Sequence, residues 1–272
     1  MRTVKCFDGG HKFMDEVSFD NKRIFICEDD FVSIMTAVYD AWDFSRGKKH
    51  DLVRIELVGT GNFELFAEYV DVRPDEEKCA KVVRSIRNKI SEEVFGEVFR
   101  GTLSDKPDKA NAIYHFLVAA FKSGRHILYE LGNPAVIRLF ELTRYVGNEQ
   151  HRLLGFIRFE ELYNGVLFSK IAPVNNVLTL IAPHFCDRLP NENWIIYDER
   201  RKTAAIHRKH GGWCLTSDAL MLDRIVNAER EGFYKDLWKT FFDTIAIEER
   251  KNYKLQRQLM PLRYRENIVE FK

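Results

Sequence analysis

The segment best suited to bind a charged ligand lies between residues 250 and 265 and reads RKNYKLQRQLMPLRYR. It carries six lysine or arginine residues and no acidic residue. Cationic and amide side chains of this kind contact phosphate groups, and tyrosines among them stack on exposed bases. The candidates for phosphate contact are Arg250, Lys254, Arg257, Gln258, Arg263 and Arg265. The candidates for base stacking are Tyr253 and Tyr264, together with Trp194 from elsewhere in the chain.

The same segment also fits a structural role without ligand binding. A solvated, salt-bridged terminal helix followed by a turn at Met260-Pro261 would carry the same charges, because runs of charge are usually solvated faces. The sequence leaves both interpretations open.

A second basic cluster consists of His151, Arg152 and Arg158. We predict that this part of the chain is a strand, in which alternation puts Arg152 and Arg158 on one side and Gly155 permits close approach of another backbone. A phosphate group or an acidic partner would fit there. Ion pairs with Glu160 or Glu161 are the alternative.

Candidates for catalysis are few. His184 together with Asp187 or Asp198 would do general acid and base work only if the fold brought these side chains together, so the catalytic residues stay unknown. The chain has no G-x-S-x-G, G-x-x-x-x-G-K-[ST], H-E-x-x-H or G-x-G-x-x-G motif, which removes the usual routes to a hydrolase, a nucleotide-binding protein or a metalloprotease.

The histidines and cysteines do not predict a metal site. His207, His210 and Cys214 lie close in sequence, and His184 and Cys186 lie upstream. This spacing, on a strand and a Gly-Gly turn, does not make the ligands converge as zinc requires. We expect neither a metal nor another cofactor.

Helices are expected to supply the first half of the scaffold. The apolar pattern predicts a strand at 24–26 and a helix at 31–42, whose N-terminus follows three acidic residues at 28–30. Residues 74–147 read as several short helices, with Gly124 and Gly147 at helix ends. A helix-turn-helix in this region would offer Lys122, Arg125 and Arg138 to phosphates, but ordinary helix packing explains most of the pattern, because helix pairs are far commoner than recognition helices.

The second half changes to a strand-like period. Strands are predicted at HRLLGFIRF, GVLFSKI, NWIIYD and TAAIHR, with a helix over 176–189 between the second and third strands. This order favours an antiparallel sheet with helices on one side, and helices follow Gly211-Gly212. The expected fold is therefore α+β: a helical middle segment, an antiparallel sheet of about four strands and a helical C-terminus. We expect residues 1–272 to form one compact domain, or two closely packed lobes at 1–147 and 148–272.

The amino-acid composition limits the classes of function that this chain can have. The 272 residues contain 42 Lys and Arg against 41 Asp and Glu, so a contact with nucleic acid must use a local patch. Five cysteines at wide spacings, with no C-x-x-C, fit a reducing compartment. The chain shows neither a signal-peptide pattern nor an apolar run near the ~20 residues of a membrane span. We expect a cytoplasmic protein with no membrane partner.

Four long stretches of the chain are distinctive: IFICEDDFVSIMTAVYDAW, NEQHRLLGFIRF, NNVLTLIAPHFCDRLPNENWIIYDERR and FYKDLWKTFFDTIAIEERKNYKLQRQLMPLRYRENIVEF. Together they resemble one bacterial family, labelled probable DNA metabolism protein. The resemblance implies a role in DNA modification or repair beside a partner radical-SAM protein, and in some members a fusion to a uracil-DNA-glycosylase-like domain. This chain has Cys27, Glu28 and Asp29 where the family more often has an aromatic-Asp-Gly turn.

Both basic clusters fall inside the resembling stretches, which favours contact with nucleic acid. We therefore expect a protein of DNA metabolism or repair that binds DNA or a damaged base and acts with a radical-SAM partner. The chain itself has no C-x-x-x-C-x-x-C motif, which would hold the iron–sulfur cluster of a radical-SAM protein. Two alternatives stay open: a glycosylase-like or hydrolytic base-repair enzyme, and a protein adaptor without nucleic-acid contact.

Overall fold

In the computed structural model of the chain, the described residues are numbers 22–46, 50–61, 63–162, 165–217 and 264. They belong to two compact units, Met1–Cys79 and Ala80–Lys272. The boundary lies near residue 79, whereas the sequence suggested a division near residue 147. No helix within the described ranges is both long and apolar enough to cross a membrane.

The first unit contains a parallel three-stranded sheet in the order β2-β1-β3. Its elements are β1 (Lys22–Cys27), α1 (Phe31–Phe44), β2 (Val53–Leu57) and β3 (Ala67–Asp71). β1 and α1 confirm the predicted strand and helix, whereas β2 and β3 were not predicted. Phe25 aligns with Ile55 and Val70 across the sheet, and its ring lies 6.2 Å from that of Phe44 on α1.

One of the three acidic residues caps α1. The Asp30 carboxylate accepts a 2.9 Å hydrogen bond from the backbone N–H of Ser33, as expected for an aspartate at the N-cap position. This contact confirms the helix-terminus interpretation for Asp30.

Four consecutive helices confirm the helical middle of the chain. They are α2 (Glu76–Lys89), α3 (Glu92–Thr102), α4 (Lys109–Ser123) and α5 (Pro134–Phe156). Gly124 ends α4 with a positive φ of 63°, as predicted. Gly147 does not end a helix, because α5 continues through it for nine more residues.

The strand predicted at residues 151–159 is wrong, since most of it is the last part of α5. The buried positions of this helix, among them Leu142, Val146, Glu149 and Leu153, recur every three or four residues. With this spacing, one side of a continuous helix packs against the core both before and after Gly147. This packing determines the conformation, although LLGFIRF alternates locally like a strand.

The second sheet has five strands in the order β4-β5-β6-β7-β8 and is mixed. Its strands are β4 (Glu160–Glu161), β5 (Leu167–Ile171), β6 (Trp194–Asp198), β7 (Thr203–His207) and β8 (Trp213–Thr216). The predicted antiparallel sheet needs correction, because β5 and β6 pair in parallel. The helix α6 (Leu178–Arg188) connects them, and a strand-helix-strand crossover of this kind returns the chain in the same direction. β8 was not predicted.

Both faces of β6 are covered. Trp194 and Ile196 face a core shared with Ile181 and Phe185 of α6 and with Leu153 of α5. The alternate residues Ile195 and Tyr197 pack with Phe168 and Ala204 in a second cluster. This central strand is therefore a rigid part of the second unit. The predicted C-terminal helices lie outside the described residues.

Candidate nucleic-acid interface

Two predicted phosphate contacts, His151 and Arg152, lie on α5 and not on a strand. His151 is exposed and Arg152 is half-buried. Arg158 follows the helix, and its guanidinium donates to the backbone oxygens of Gly155 and Ile157 at 2.7 and 3.1 Å. The predicted strand face shared by Arg152 and Arg158 therefore does not exist.

The helix instead groups His151 and Arg152 with residues that were not predicted. We define the α5 stripe as Arg144, Tyr145, Asn148, His151 and Arg152, all exposed except the half-buried Arg152. Their spacing of three and four residues puts them on one side of the helix. Among the described residues, no carboxylate forms an ion pair with Arg144 or Arg152. Within the described ranges, the positive charges of these two guanidinium groups are therefore not neutralised by an ion pair.

The three cations named for a helix-turn-helix differ in availability. Arg138 donates two hydrogen bonds to the carboxylate of Asp108, at 2.8 and 2.7 Å, and one to Glu141 at 2.6 Å. The Arg138 guanidinium lowers the pKa of the Asp108 carboxyl group, and the Asp108 carboxylate in turn raises the pKa of Arg138. Lys122 and Arg125 are exposed, with no ion pair inside the described ranges.

The connection between α4 and α5 does not match a helix-turn-helix. Ten residues, 124–133, separate the two helices and include a short 3-10 helix at Gly124–Tyr129. A helix-turn-helix uses a turn of about three or four residues. An open groove of about 590 Å³ follows α4 and the start of α5, with Lys122, His115 and Arg138 in its wall.

The inner side of α5 carries a buried carboxylate, Glu149, which is 2% exposed. Its oxygens accept hydrogen bonds from the backbone N–H groups of Val174 and Asn175, at 3.0 and 2.7 Å. The side-chain amide of Asn175 donates a third, at 2.6 Å. Buried carboxylates need such donors because an unpaired one is costly. Glu149 thus fixes the loop between β5 and α6 against α5.

The same loop is held from two further directions. Asn175 Oδ1 accepts a 3.0 Å hydrogen bond from the backbone N–H of Asp105. Arg201 donates to the backbone oxygens of Pro173 and Val174, at 3.2 and 2.5 Å, and to the carboxylate of Asp198 at 3.1 Å. The loop is therefore a fixed connection between the helices and the second sheet.

Tyr264 is the one described residue of the basic segment. Its ring is 5% exposed and lies 5.8 Å from that of Phe156 on α5. Its hydroxyl donates a 3.0 Å hydrogen bond to Oε1 of Glu149. A side chain so enclosed offers no open face, and the structure assigns it an anchoring contact in place of the predicted stacking role. The other predicted members of the segment, Arg250, Tyr253, Lys254, Arg257, Gln258, Arg263 and Arg265, lie outside the described residues.

Trp194 is also unsuited to stack on a base in this arrangement. It is fully buried on β6, and the ring of His207 stacks on it at 5.0 Å and 12°. Phe159 and Phe185 contact it as well. The ring belongs to the core of the second unit.

The three catalytic candidates occupy different environments. His184 and Asp187 are exposed on α6. Asp198 is fully buried and accepts from the backbone N–H groups of Arg200 and Arg201, at 3.0 and 3.2 Å. Its carboxylate stabilises the turn between β6 and β7, as short acidic side chains commonly do. None of the three lines the groove along α4.

The described residues contain no group of three or more His, Cys, Asp and Glu that could hold a metal ion. The two ring nitrogens of His207 lie 2.9 and 3.1 Å from the backbone oxygens of Glu192 and Gly211. They are engaged with the backbone and are not directed towards His210 or Cys214.

Sequence reasoning missed Glu149, Asn175 and Arg201. One signal was available: Glu149 occupies a position where the period of α5 calls for an apolar residue. An acidic residue on the buried side of a helix indicates a group of donors beneath it.

A family model described as Domain of unknown function (DUF4130) matches residues 107–270. The matched range begins just before α4, includes α5, α6 and the second sheet, and extends through the basic segment. Comparisons with curated proteins and with solved structures found no match.

Proposed function

We propose that this chain, which belongs to the DUF4130 family, binds DNA through a basic surface of its second unit and serves DNA metabolism or repair beside a radical-SAM partner. The DNA contact is argued from the residues below. The process and the partner come from the resemblance to the bacterial family labelled probable DNA metabolism protein.

The contact between Tyr264 and α5 carries the proposal. Tyr264 stands near the end of the most basic segment of the chain, directly between Arg263 and Arg265. Its buried hydroxyl and ring are held by Glu149 and Phe156 of α5. This anchor connects the basic segment to the helix whose opposite side carries the α5 stripe.

Electrostatics supports a local surface and not a global field. The formal net charge is only +1, so the protein as a whole does not attract a polyanion. Arg144 and Arg152 lack ion pairs within the described part of the chain, whereas Arg138, Arg87 and Arg46 are each paired with a carboxylate. When arginines without a carboxylate partner neutralise phosphates, the DNA releases its bound counterions. That release drives salt-dependent binding to DNA.

A salt series tests the proposal. Fluorescence anisotropy with labelled duplex and single-stranded DNA should give an affinity whose logarithm falls linearly with the logarithm of salt concentration. The double variant Arg144→Ala/Arg152→Ala should make the slope shallower by about 0.9 for each of the two arginines that contacts a phosphate. Charge reversal by Arg257→Glu/Arg263→Glu should also make the slope of log affinity against log salt concentration shallower.

The matched control is Arg46→Ala/Arg87→Ala, which removes the same charge from arginines that already pair with Asp43 and Glu92. This variant should keep the wild-type slope. Absence of DNA binding at low salt would reject the DNA-binding role. Equal slopes for the two double variants would exclude Arg144 and Arg152 from the contact with phosphates.

An exposed apolar loop in the first unit favours a second candidate, a protein adaptor. Phe63, Leu65 and Phe66, between β2 and β3, are 94%, 88% and 90% exposed. Clustered apolar side chains of this size commonly mark a protein contact. The variant Phe63→Ser/Leu65→Ser/Phe66→Ser should abolish co-purification with a co-expressed radical-SAM protein, whereas Leu131→Ser should not. Co-purification without any DNA binding would favour the adaptor alone.

A further inference from the structure

We infer that the exposed side of α5 enters the major groove of double-stranded DNA, with Arg144 and Asn148 contacting base edges. This inference rests on the proposed DNA-binding function and adds sequence reading to it.

The shape of α5 allows such an entry. The helix has 23 residues, which corresponds to a length of about 35 Å. Its exposed positions continue along one side without a buried interruption: residues 137, 141, 144, 145, 148, 151 and 155. The major groove admits one α-helix whose outer side is free. The opposite side of α5 is fixed by the core and by Glu149, so the helix would approach DNA as a rigid rod.

The centre of this side carries the two side-chain types that read bases most directly. Arginine makes paired hydrogen bonds to guanine, and asparagine makes them to adenine. Arg144 and Asn148 are four residues apart, so they lie on one line about 6 Å apart along the helix axis. That rise is close to two base-pair steps of about 3.4 Å each. Asn148 is exposed, so its amide is accessible to a ligand.

The C-terminal part of the same side suits the phosphate backbone. Arg152 lies one turn beyond Asn148 and continues the line that Arg144 and Asn148 define, and His151 lies beside it. The Lys106 ammonium lies 5.4 Å from the centre of the Tyr145 ring and 3.6 Å from the Asp105 carboxylate. Glu141 is the one carboxylate among these exposed positions of α5, and it shares the Arg138 guanidinium, 2.6 Å away, with Asp108.

The geometry selects duplex DNA over the other nucleic acids. The major groove of double-stranded RNA is too narrow for side chains to read. Binding to a single strand relies mainly on aromatic platforms, and the α5 stripe offers only Tyr145. A helix with arginine and asparagine at the centre of its exposed side is therefore best matched to B-form DNA.

The test is selection from a random-sequence duplex library with the full chain, followed by affinity measurements on the enriched and on scrambled duplexes. Wild type should enrich a short motif. Asn148→Ala should reduce the preference for that motif over a one-base variant by about 5- to 150-fold, the equivalent of one base contact, with the salt slope unchanged. Arg152→Ala should instead weaken binding to all duplexes equally and lower the slope by about 0.9.

Asn148 is exposed on a helix, so its replacement by alanine should not impair folding, and Asn191→Ala at an exposed turn serves as the control. Salt-dependent binding without any enriched motif, or a motif that survives both Asn148→Ala and Arg144→Ala, would overturn the inference while leaving DNA binding intact. Stronger binding to single strands than to duplexes would do the same. Complete absence of DNA binding would instead remove the proposed function itself.

Discussion

The hydroxyl of Tyr264 donates a 3.0 Å hydrogen bond to Glu149, a contact between residues 115 positions apart in the sequence. Glu149 is simultaneously held by three donors of the loop between β5 and α6. One buried carboxylate thus connects the basic segment, the helix with the α5 stripe and the entrance to α6. Its partners are polar groups, so the strength of the arrangement depends on every donor being present.

Tyr264→Phe should lower both stability and DNA affinity. The change removes only the donor, and a hydrogen bond to a charged group contributes about 1.5–3 kcal/mol to the free energy of unfolding. Urea unfolding measures the loss. Tyr129→Phe, at a ring that is 80% exposed, should change stability by less than about 0.5 kcal/mol. If the variant bound DNA less tightly but unfolded like wild type, the anchoring role would be wrong.

Asn175→Asp should be far more damaging than its neighbour Asn176→Asp. Nδ2 of Asn175 lies 2.6 Å from the Glu149 carboxylate, and the substitution replaces this donor with a second buried negative charge. An uncompensated buried charge costs about 3–5 kcal/mol. Asn176 is exposed, so Asn176→Asp should cost less than about 0.5 kcal/mol. Urea unfolding of both variants at pH 7 measures the difference.

Asp198→Asn distinguishes a structural role from a catalytic one. The substitution keeps an oxygen for the N–H groups of Arg200 and Arg201 but removes the charge that pairs with the Arg201 guanidinium. We expect a loss of about 1–3 kcal/mol in unfolding free energy, with DNA binding retained below the unfolding transition. Arg201→Lys should give a loss of similar size because lysine cannot reproduce the forked contact. A fully stable Asp198→Asn variant that lost a base-repair activity would instead favour the enzyme alternative.

Sequence patterns predicted the elements whose side chains alternate or recur cleanly. The strands β6 and β7 and the helices α1 and α6 follow from Trp194–Asp198, Thr203–His207 and the apolar spacing around Ile34 and Ile181. The pattern failed at α5, where Gly147 and the alternation in LLGFIRF suggest an end and then a strand. Tertiary packing of Val146, Glu149 and Leu153 decides the conformation there, and that packing is invisible locally.

Strand direction and partner choice also lie beyond local patterns. The parallel pairing of β5 with β6 follows from α6 acting as a crossover, a relation between three elements. The strand β3 is half-exposed along its length, so its residues lack the buried alternation that marks a strand. For the candidate site, the types of His151 and Arg152 were informative, but their grouping with Arg144 and Asn148 required the helix.

The pair of Asp108 and Arg138 gives a pH-dependent prediction. The hydrogen bonds from Arg138 lower the pKa of Asp108, so in the acid range the folded protein binds fewer protons at this carboxyl group than the unfolded chain does. The pair therefore stabilises the fold above the ordinary aspartate pKa of about 3.9, and this contribution disappears as the pH falls through the lowered value. Because the Asp108 side chain is 50% exposed, solvent screening limits it to about 0.5–1 kcal/mol.

Asp108→Asn should accordingly be less stable than wild type at pH 7 and equal to it near pH 2, as measured by urea unfolding over that range. The difference should also shrink in high salt, since the pair is partly exposed. Asp187→Asn, at an exposed position of α6, should show no such convergence. In an Arg138→Gln background the effect of Asp108→Asn should vanish, because the partner that lowers the pKa is gone. A pH-independent difference would show that Asp108 acts through its shape at the start of α4 and not through its charge.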